Sequence, residues 1–436
     1  MTIVFAILRL IAALSLTPFA YDWRSPLLIS VRPAMFLVLL AIPTLIAVLE
    51  VWLTRSGYVR GRILRALSIA TYAGCGFVFL TTAGLEARFY WQRHQVLTAD
   101  AMQLEKLGRH FVVGFRNWQD LNELIDRRAI AGIYVSASNV RGLGIVDIRR
   151  NIDALQMRRR EQGLPPLWIT TDQEGGGVSR LTPPLTYRPF LVEVVDKNSD
   201  PAKRNDAIRQ YATEQGHELA AAGINLNFAP VVDINFRVMN ASDRSTQIYK
   251  RAISDNAEVV RDVAATYCTA LQATGVLCTL KHFPGLGRVS GDTHLEAASL
   301  NAPVAELEKT DWIPFRALAP RAVTMVGHAH LKAVDDKNPA SISKPAIGIL
   351  RQWSNSGVLI TDDFSMGAIY WSAEGITGAG VSTLNAGMDL ILISYDFDQF
   401  YPVMHALLKA QRDGALNSTA LGESDRRLAL TKPTDR

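Results

Sequence analysis

The chain has 436 residues, 48% of them apolar and 20% charged, with 30 Gly, 19 Pro and 3 Cys, which excludes both a disordered chain and a disulfide-rich scaffold. Its net charge of +5 is carried entirely by residues 1–92, which hold eight Arg, no Lys and three acidic residues. The remainder is balanced, so no basic groove for nucleic acid is indicated, and the N-terminal excess reads as a membrane topology signal.

Three apolar runs fill residues 1–92. The first, Ile3 to Ala20, is interrupted by Arg9 and is the weakest. It lacks a basic n-region and a small-residue cleavage site, so an uncleaved helix is expected rather than a signal peptide. The second, Pro33 to Leu49, extends to Trp52 if Glu50 lies at the interface. The third is 20 uncharged residues between Arg65 and Glu86, the length a helix needs to cross about 30 Å of hydrocarbon. The link between the last two, TRSGYVRGR, carries Arg55, Arg60 and Arg62, which places it in the cytoplasm by the positive-inside rule. Everything beyond about Arg93 then faces the periplasm or the cell exterior. Residues 1–92 are thus expected to be an all-α membrane anchor of two to three helices in the bacterial cytoplasmic membrane. Arg9 is its only internal charge, near enough to an end to snorkel. With no paired intramembrane charges, a transporter is a poor fit.

From about Leu97 the pattern changes to short apolar runs alternating with helical stretches. Candidate strands are HFVVGF (110–115), AGIYVSA (131–137), PLWITTD (166–172) and INLNFAPVVD (224–233). VLCTLKHF (276–283), AVTMVGHAHL (322–331), GVLITDD (357–363) and MDLILIS (388–394) follow. Between them lie amphipathic stretches such as 206–223 and 256–275, each closing on a Gly that suits a helix C-terminus. Eight strands alternating with helices predict a (β/α)8 TIM-like barrel over residues 93–412, followed by a tail, 413–436. GxGxxG and GxxxxGK[ST] are absent.

Polar residues end five of these strands: Asp172, Asp233, Lys281 with His282, His328 with His330, and Asp362 with Asp363. The C-terminal rim of a barrel is where active sites are built. Three segments there carry chemistry. In TTDQEGGGVSRL (170–181) three glycines follow Asp172 and would let the backbone approach a ligand or turn tightly. Arg180 is placed to fold back over the opening, and Asp172 and Glu174 would repel a phosphate. In KHFPGLGRVSGDTHLE (281–296), Asp292 and His294 stand two residues apart, so a carboxylate can orient an imidazole and raise its pKa. The same dyad with His328 and His330 is also compatible with a metal site, but no second carboxylate–His spacing supports one. In VLITDDFSMGA (358–368) only one of Asp362 and Asp363 can face the barrel axis, since successive strand residues point to opposite faces. The other is expected to cap a helix or anchor a loop.

The order of these segments resembles glycoside hydrolase family 3, in its bacterial β-N-acetylhexosaminidase branch of the NagZ type, over roughly residues 97–412. The motifs that carry the resemblance are DQEGG (172–176), NFAPVVD (227–233), KHFPGLG with DTH (281–294), NPASIS (338–343) and TDDFSMGA (361–368). The resemblance implies a retaining glycosidase that needs no cofactor and no metal. In it Asp362 is the nucleophile, His294 the general acid/base and Asp292 its dyad partner. Asp172, Arg180, Arg244, Lys281 and His282 are implied to contact the sugar. Asp362 would sit on a rigid strand end and His294 on a glycine-bearing loop, 285–294, expected to be mobile until substrate closes it. Gly177 stands where many relatives have Arg, and Leu286 where many have His.

The implied substrate is a β-GlcNAc-containing glycan or muropeptide, cut at its terminal non-reducing N-acetylglucosamine. Peptidoglycan fragments are the source an outward-facing anchored enzyme would meet. A phosphorylase would use the same intermediate, and a silent membrane-linked sugar sensor is the third reading, which the full Asp362, His294 and Asp292 set opposes. Cys268 and Cys278 are either buried thiols or a disulfide, and their spacing does not decide between them.

Overall fold

The structure, a computed structural model, describes residues 2–239, 243, 245–431 and 433. It divides into two compact units, 1–95 and 96–436.

The first unit consists of helices. Helix α1 (Thr2–Ser15) runs on through a short helix, Thr17–Asp22, and is followed by α2 (Arg32–Arg55) and α3 (Arg62–Leu97). The stretches 2–22, 32–55 and 62–97 are each long and apolar enough to cross a membrane. One sequence expectation is overturned here. Arg9 does not stand alone: the N-terminal helices, read as carrying no paired charges, hold an Arg9–Glu50 pair. The Arg9 guanidinium donates to Glu50 Oε1 at 2.5 Å, and the Ser68 hydroxyl donates to Glu50 Oε2 at 2.7 Å, with the Glu50 side chain fully buried. One carboxylate therefore joins all three helices, because an unpaired charge among apolar helices would cost far more than the pair. Near the other helix ends Arg24 donates twice to Glu86 and lies 3.5 Å over the Phe89 ring.

The second unit is a closed barrel of eight parallel strands: β1 (Phe111–Val113), β2 (Gly132–Tyr134), β3 (Trp168–Thr171), β4 (Leu226–Asn227), β5 (Leu277–Phe283), β6 (Val323–Val326), β7 (Leu359–Asp363) and β8 (Leu390–Ile393). Each strand pairs with its sequence neighbours, and β8 closes on β1 in the register Phe111↔Ile391. All eight fall inside the apolar runs read from the sequence. Val112, Trp168, Leu226, Phe228, Met325, Ile360 and Leu392 pack together as a buried core. The run 322–331 is cut short: His330–Leu331 leaves the barrel to pair with Ser299–Leu300.

Helices α4 (Pro201–Ala222) and α5 (Ala257–Ala273) occupy the two amphipathic stretches. Asp200 caps α4 at its start, and Gly223, at φ +88°, ends it in the left-handed region that favours glycine. Cys268 on α5 and Cys278 on β5 form a disulfide. Residues 418–430 form helix α6 (Ser418–Leu430), whose Leu428 packs on the barrel core. Arg427 of α6, fully buried, donates to Asp389 at 2.8 Å, and Asp389 also accepts from Arg351 at 2.7 Å.

Candidate active site

The C-terminal ends of the barrel strands gather the expected side chains on one rim. Asp362, next to last in β7, accepts the backbone N–H of Asp363 at 2.8 Å. Burial pushes its carboxyl pKa up, but His282, His328 and His294 around it prevail and hold it below the usual carboxylate range. It is therefore an anion at neutral pH. Asp363 points the other way, as the pleat requires. It accepts from the Ser394 hydroxyl at 2.6 Å and from the backbone N–H groups of Ser365, Ser394 and Tyr395, tying the loop after β8 to β7.

The imidazole of His294 makes a 2.8 Å hydrogen bond through Nδ1 to Asp292 Oδ1. Asp292 is itself fixed by the Ser245 N–H and the Thr246 hydroxyl. Burial lowers the His294 pKa, but the bond to Asp292 and the charge of Asp362 outweigh it and raise the pKa above the ordinary histidine value. The backbone carbonyls of Thr293 and His294 accept from Ala368 and Gly367, just beyond β7. The dyad is thus pinned beside the strand that carries Asp362.

A second cluster lies opposite. The Tyr134 hydroxyl, at the end of β2, donates to Asp172 Oδ2 at 2.8 Å, and Lys281 donates to Asp172 Oδ1. Lys281 also reaches Glu174 at 2.6 Å. Arg251 grips Glu174 with two bonds, 2.9 and 2.6 Å, so this buried carboxylate is matched by two cations that pull its pKa down to about 2 against the opposing effect of burial. Arg180 lies against Tyr134 and Asp172. His282 Nδ1 sits 2.7 Å from Asp233, which also accepts the backbone N–H groups of His282 and Leu286. Asp233 thereby fixes the His282 ring and the start of the following loop. His328 bonds Ser341 at 2.7 Å and the Asp363 carbonyl at 3.0 Å. Burial lowers its pKa against the opposing charges of Asp362 and Asp363.

The structure therefore brings together Asp362, His294, Asp292, Asp172, Arg180, Lys281 and His282. Arg244 lies outside the described residues. His330, in its side strand, accompanies Ser299 instead. Among the described residues no three of His, Cys, Asp and Glu stand close enough to hold a metal ion. Of the two roles expected for the glycines after Asp172, the tight turn is the one seen: Gly175 and Gly176, at φ +106° and +52°, lead into the hairpin turn between 173–175 and 178–179. A side chain on Gly175 would strike the Pro189 carbonyl, and one on Gly176 the Phe190 ring at 2.3 Å. They serve close packing against residues 189–190, and Gly177 alone is open. The sequence reasoning missed Tyr134, Arg251 and the role of Glu174. Tyr134 ends a strand like the other rim residues and was visible on that ground. Arg251 lies in an ordinary-looking YKRAIS stretch with no local signature.

Several known proteins are similar to this chain. The family described as "Glycosyl hydrolase family 3 N terminal domain" matches residues 102–430. Beta-hexosaminidase LpqI of Mycobacterium tuberculosis is 31% identical over 337 residues, covering 75% of this chain and 82% of its own. A beta-hexosaminidase of Xanthomonas euvesicatoria pv. vesicatoria is 32% identical over 297 residues, covering 67% and 83%. Among solved structures, a family 3 β-N-acetylglucosaminidase from Paenibacillus sp. FPU-7 superposes with a TM-score of 0.68 at 30% identity, covering 75% of this chain and 61% of that one.

Proposed function

This chain belongs to glycosyl hydrolase family 3, and we propose that it is a retaining β-N-acetylglucosaminidase that removes terminal non-reducing β-linked N-acetylglucosamine. The single observation that carries the mechanism is the pairing of an ionised Asp362 with a carboxylate-held His294 of raised pKa on the same rim. A retaining mechanism needs a nucleophile on one face of the anomeric carbon and a proton donor at the other. Asp362 attacks that carbon while the His294 imidazolium gives its proton to the glycosidic oxygen, which leaves as the aglycone alcohol. The neutral imidazole then takes a proton from water as the water oxygen attacks the same carbon. The Asp362 carboxylate departs and both groups are restored. Asp292 holds the ring in position and stabilises its charged form. Asp172, Arg180, Lys281 and His282 supply donors and acceptors for the sugar hydroxyls. Arg244 is proposed to bind the sugar ring, while Arg251, buried on Glu174, holds that carboxylate at the same rim.

The substrate proposed is a peptidoglycan-derived fragment met outside the cytoplasmic membrane. Two observations support this placement. The arginine-rich link 54–62 belongs on the cytoplasmic side, which sends the catalytic unit to the other. The Cys268–Cys278 disulfide suits an oxidising compartment.

The test uses the full chain in detergent micelles with aryl β-N-acetylglucosaminide and aryl β-glucoside, with and without phosphate. Release from the acetamido sugar alone, lost in Asp362→Asn, is expected. Acceleration by phosphate would replace the hydrolase with a phosphorylase, and no turnover of either sugar by the folded chain would overturn the assignment.

A further inference from the structure

The residues between β5 and His294 carry a second set of contacts that the reaction chemistry does not use. Pro284 offers its carbonyl to the Trp312 indole at 3.0 Å, and Leu286 donates its N–H to Asp233 at 2.6 Å. Gly287 lies so close to the Ile234 carbonyl that no Cβ would fit. Arg288 then reaches across to a different part of the chain. Its Nε donates to Asp311 at 3.0 Å, Nη1 stands 2.6 Å from Glu306, and Nη2 donates to Thr310 at 3.3 Å. The guanidinium also lies 3.7 Å over the Phe236 ring, from the segment after β4. The Asp311 side chain is completely buried, and its second oxygen has no hydrogen-bond partner. A buried carboxylate in that condition depends on its one cation. Only Val289, Ser290 and Gly291 separate Arg288 from Asp292. Gly291 has φ +134° and Ser290 is exposed. The clamp therefore ends three residues before the dyad, which Ser245, Thr246, Gly367 and Ala368 hold from the other side.

We infer that Arg288 is a positioning residue for proton transfer: by clamping the loop to Asp311, Glu306 and Phe236, it sets where His294 stands over the glycosidic oxygen. The inference rests on the reading of His294 as the general acid. Its chemical consequence is specific. A misplaced acid harms glycosides whose leaving group must be protonated and spares those whose leaving group departs as a stable anion. Displacements on the order of 1 Å cost roughly 10²-fold.

The experiment compares Arg288→Ala, Arg288→Lys and His294→Ala in the full chain in micelles, on a 4-methoxyphenyl and a 2,4-dinitrophenyl β-N-acetylglucosaminide. Hydrogen exchange of residues 289–294 is followed in parallel. Arg288→Ala is expected to lose about 10²-fold in kcat on the methoxyphenyl substrate and under about threefold on the dinitrophenyl one, with little change in KM and faster exchange in the loop. Arg288→Lys, which keeps the charge beside Asp311, should recover part of the loss. Should Arg288→Ala fold poorly, Phe236→Leu removes only the ring under the guanidinium and is expected to give the same leaving-group contrast at smaller size. Equal losses on both substrates, or unchanged exchange, would overturn the inference while His294→Ala still showed the contrast. If His294→Ala lacked the contrast as well, the reading of His294 would fall and the inference with it.

Discussion

Replacing Asp292 by Asn keeps the shape of the dyad and removes its charge. In the structure Asp292 Oδ1 accepts from His294 Nδ1 at 2.8 Å and from its backbone N–H at 3.0 Å. The carboxyl pKa is driven far below the usual range, where burial alone would raise it, chiefly by the bond and charge of His294. The interaction is therefore a charge-assisted hydrogen bond, worth about 1.5–3 kcal/mol. At about 1.4 kcal/mol per factor of ten, its loss predicts roughly a 10- to 100-fold fall in kcat/KM on a substrate that needs protonation. The sign of the pH effect follows from the same pair. His294 works first as imidazolium, so the alkaline limb of the kcat/KM profile follows its pKa, which Asp292 and Asp362 raise. Asp292→Asn leaves only Asp362 to raise it, so this limb must move to lower pH. The acid limb follows Asp362, whose pKa the surrounding histidines lower, and should stay where it is. The assay is the pH dependence of aryl glycoside hydrolysis for both proteins. An alkaline limb that does not move, with Asp362 and His294 intact, would refute the assignment of that limb to the dyad.

Glu174→Gln removes the carboxylate shared by the buried Arg251 and Lys281, leaving the Thr246 carbonyl to the arginine and Asp172 to the lysine. Removing one member of a buried pair costs about 3–5 kcal/mol, so a lower melting temperature and a raised KM are expected, read by thermal unfolding and by kinetics on the aryl glycoside. Arg427→Met strips Asp389 of one of its two arginines while Arg351 and the Leu359 N–H remain. The expected loss is at the lower end of the same range, about 3 kcal/mol, with KM unchanged because the pair lies at the far end of β8 from the rim.

The barrel was legible because its strands are short, apolar and bounded by Gly or polar residues, and because a parallel barrel directs every strand end that carries chemistry to one rim. Asp362, His294 and Asp292 were legible for that reason and through the motifs around them. Two kinds of information were not. Pairings between distant parts of the chain leave no local trace: Glu174 and Arg251 are 77 residues apart, and Asp389 and Arg427 are 38 apart. Neither Arg251 nor Arg427 looks different in sequence from a solvated arginine. The purpose of a glycine was the other. DQEGGG reads as a ligand cradle or a tight turn; it is the turn, and what Gly175 and Gly176 also make room for is Pro189 and Phe190, which only the fold brings close.

The N-terminal unit shows how far a charge can mislead when its partner is unknown. Arg9 alone looks like a side chain that must snorkel, and Glu50 alone like a residue that must sit at an interface. Yet Arg9, Glu50 and Ser68 each stand five to seven residues inside the end of their helix, at Thr2, Arg55 and Arg62. At the α-helical rise that is roughly 7–11 Å in every case. Three helices entering from one side at matching depth are what lets one carboxylate take a guanidinium and a hydroxyl together. The start of α1 therefore lies at the same end as the arginine-rich link, and 2–22 and 32–55 run antiparallel. Without α1, the Glu50 carboxylate would keep Ser68 but lose its countercharge, and a buried charge left unpaired is strongly disfavoured. The weakest of the three apolar runs is therefore the one that supplies the countercharge holding the other two together.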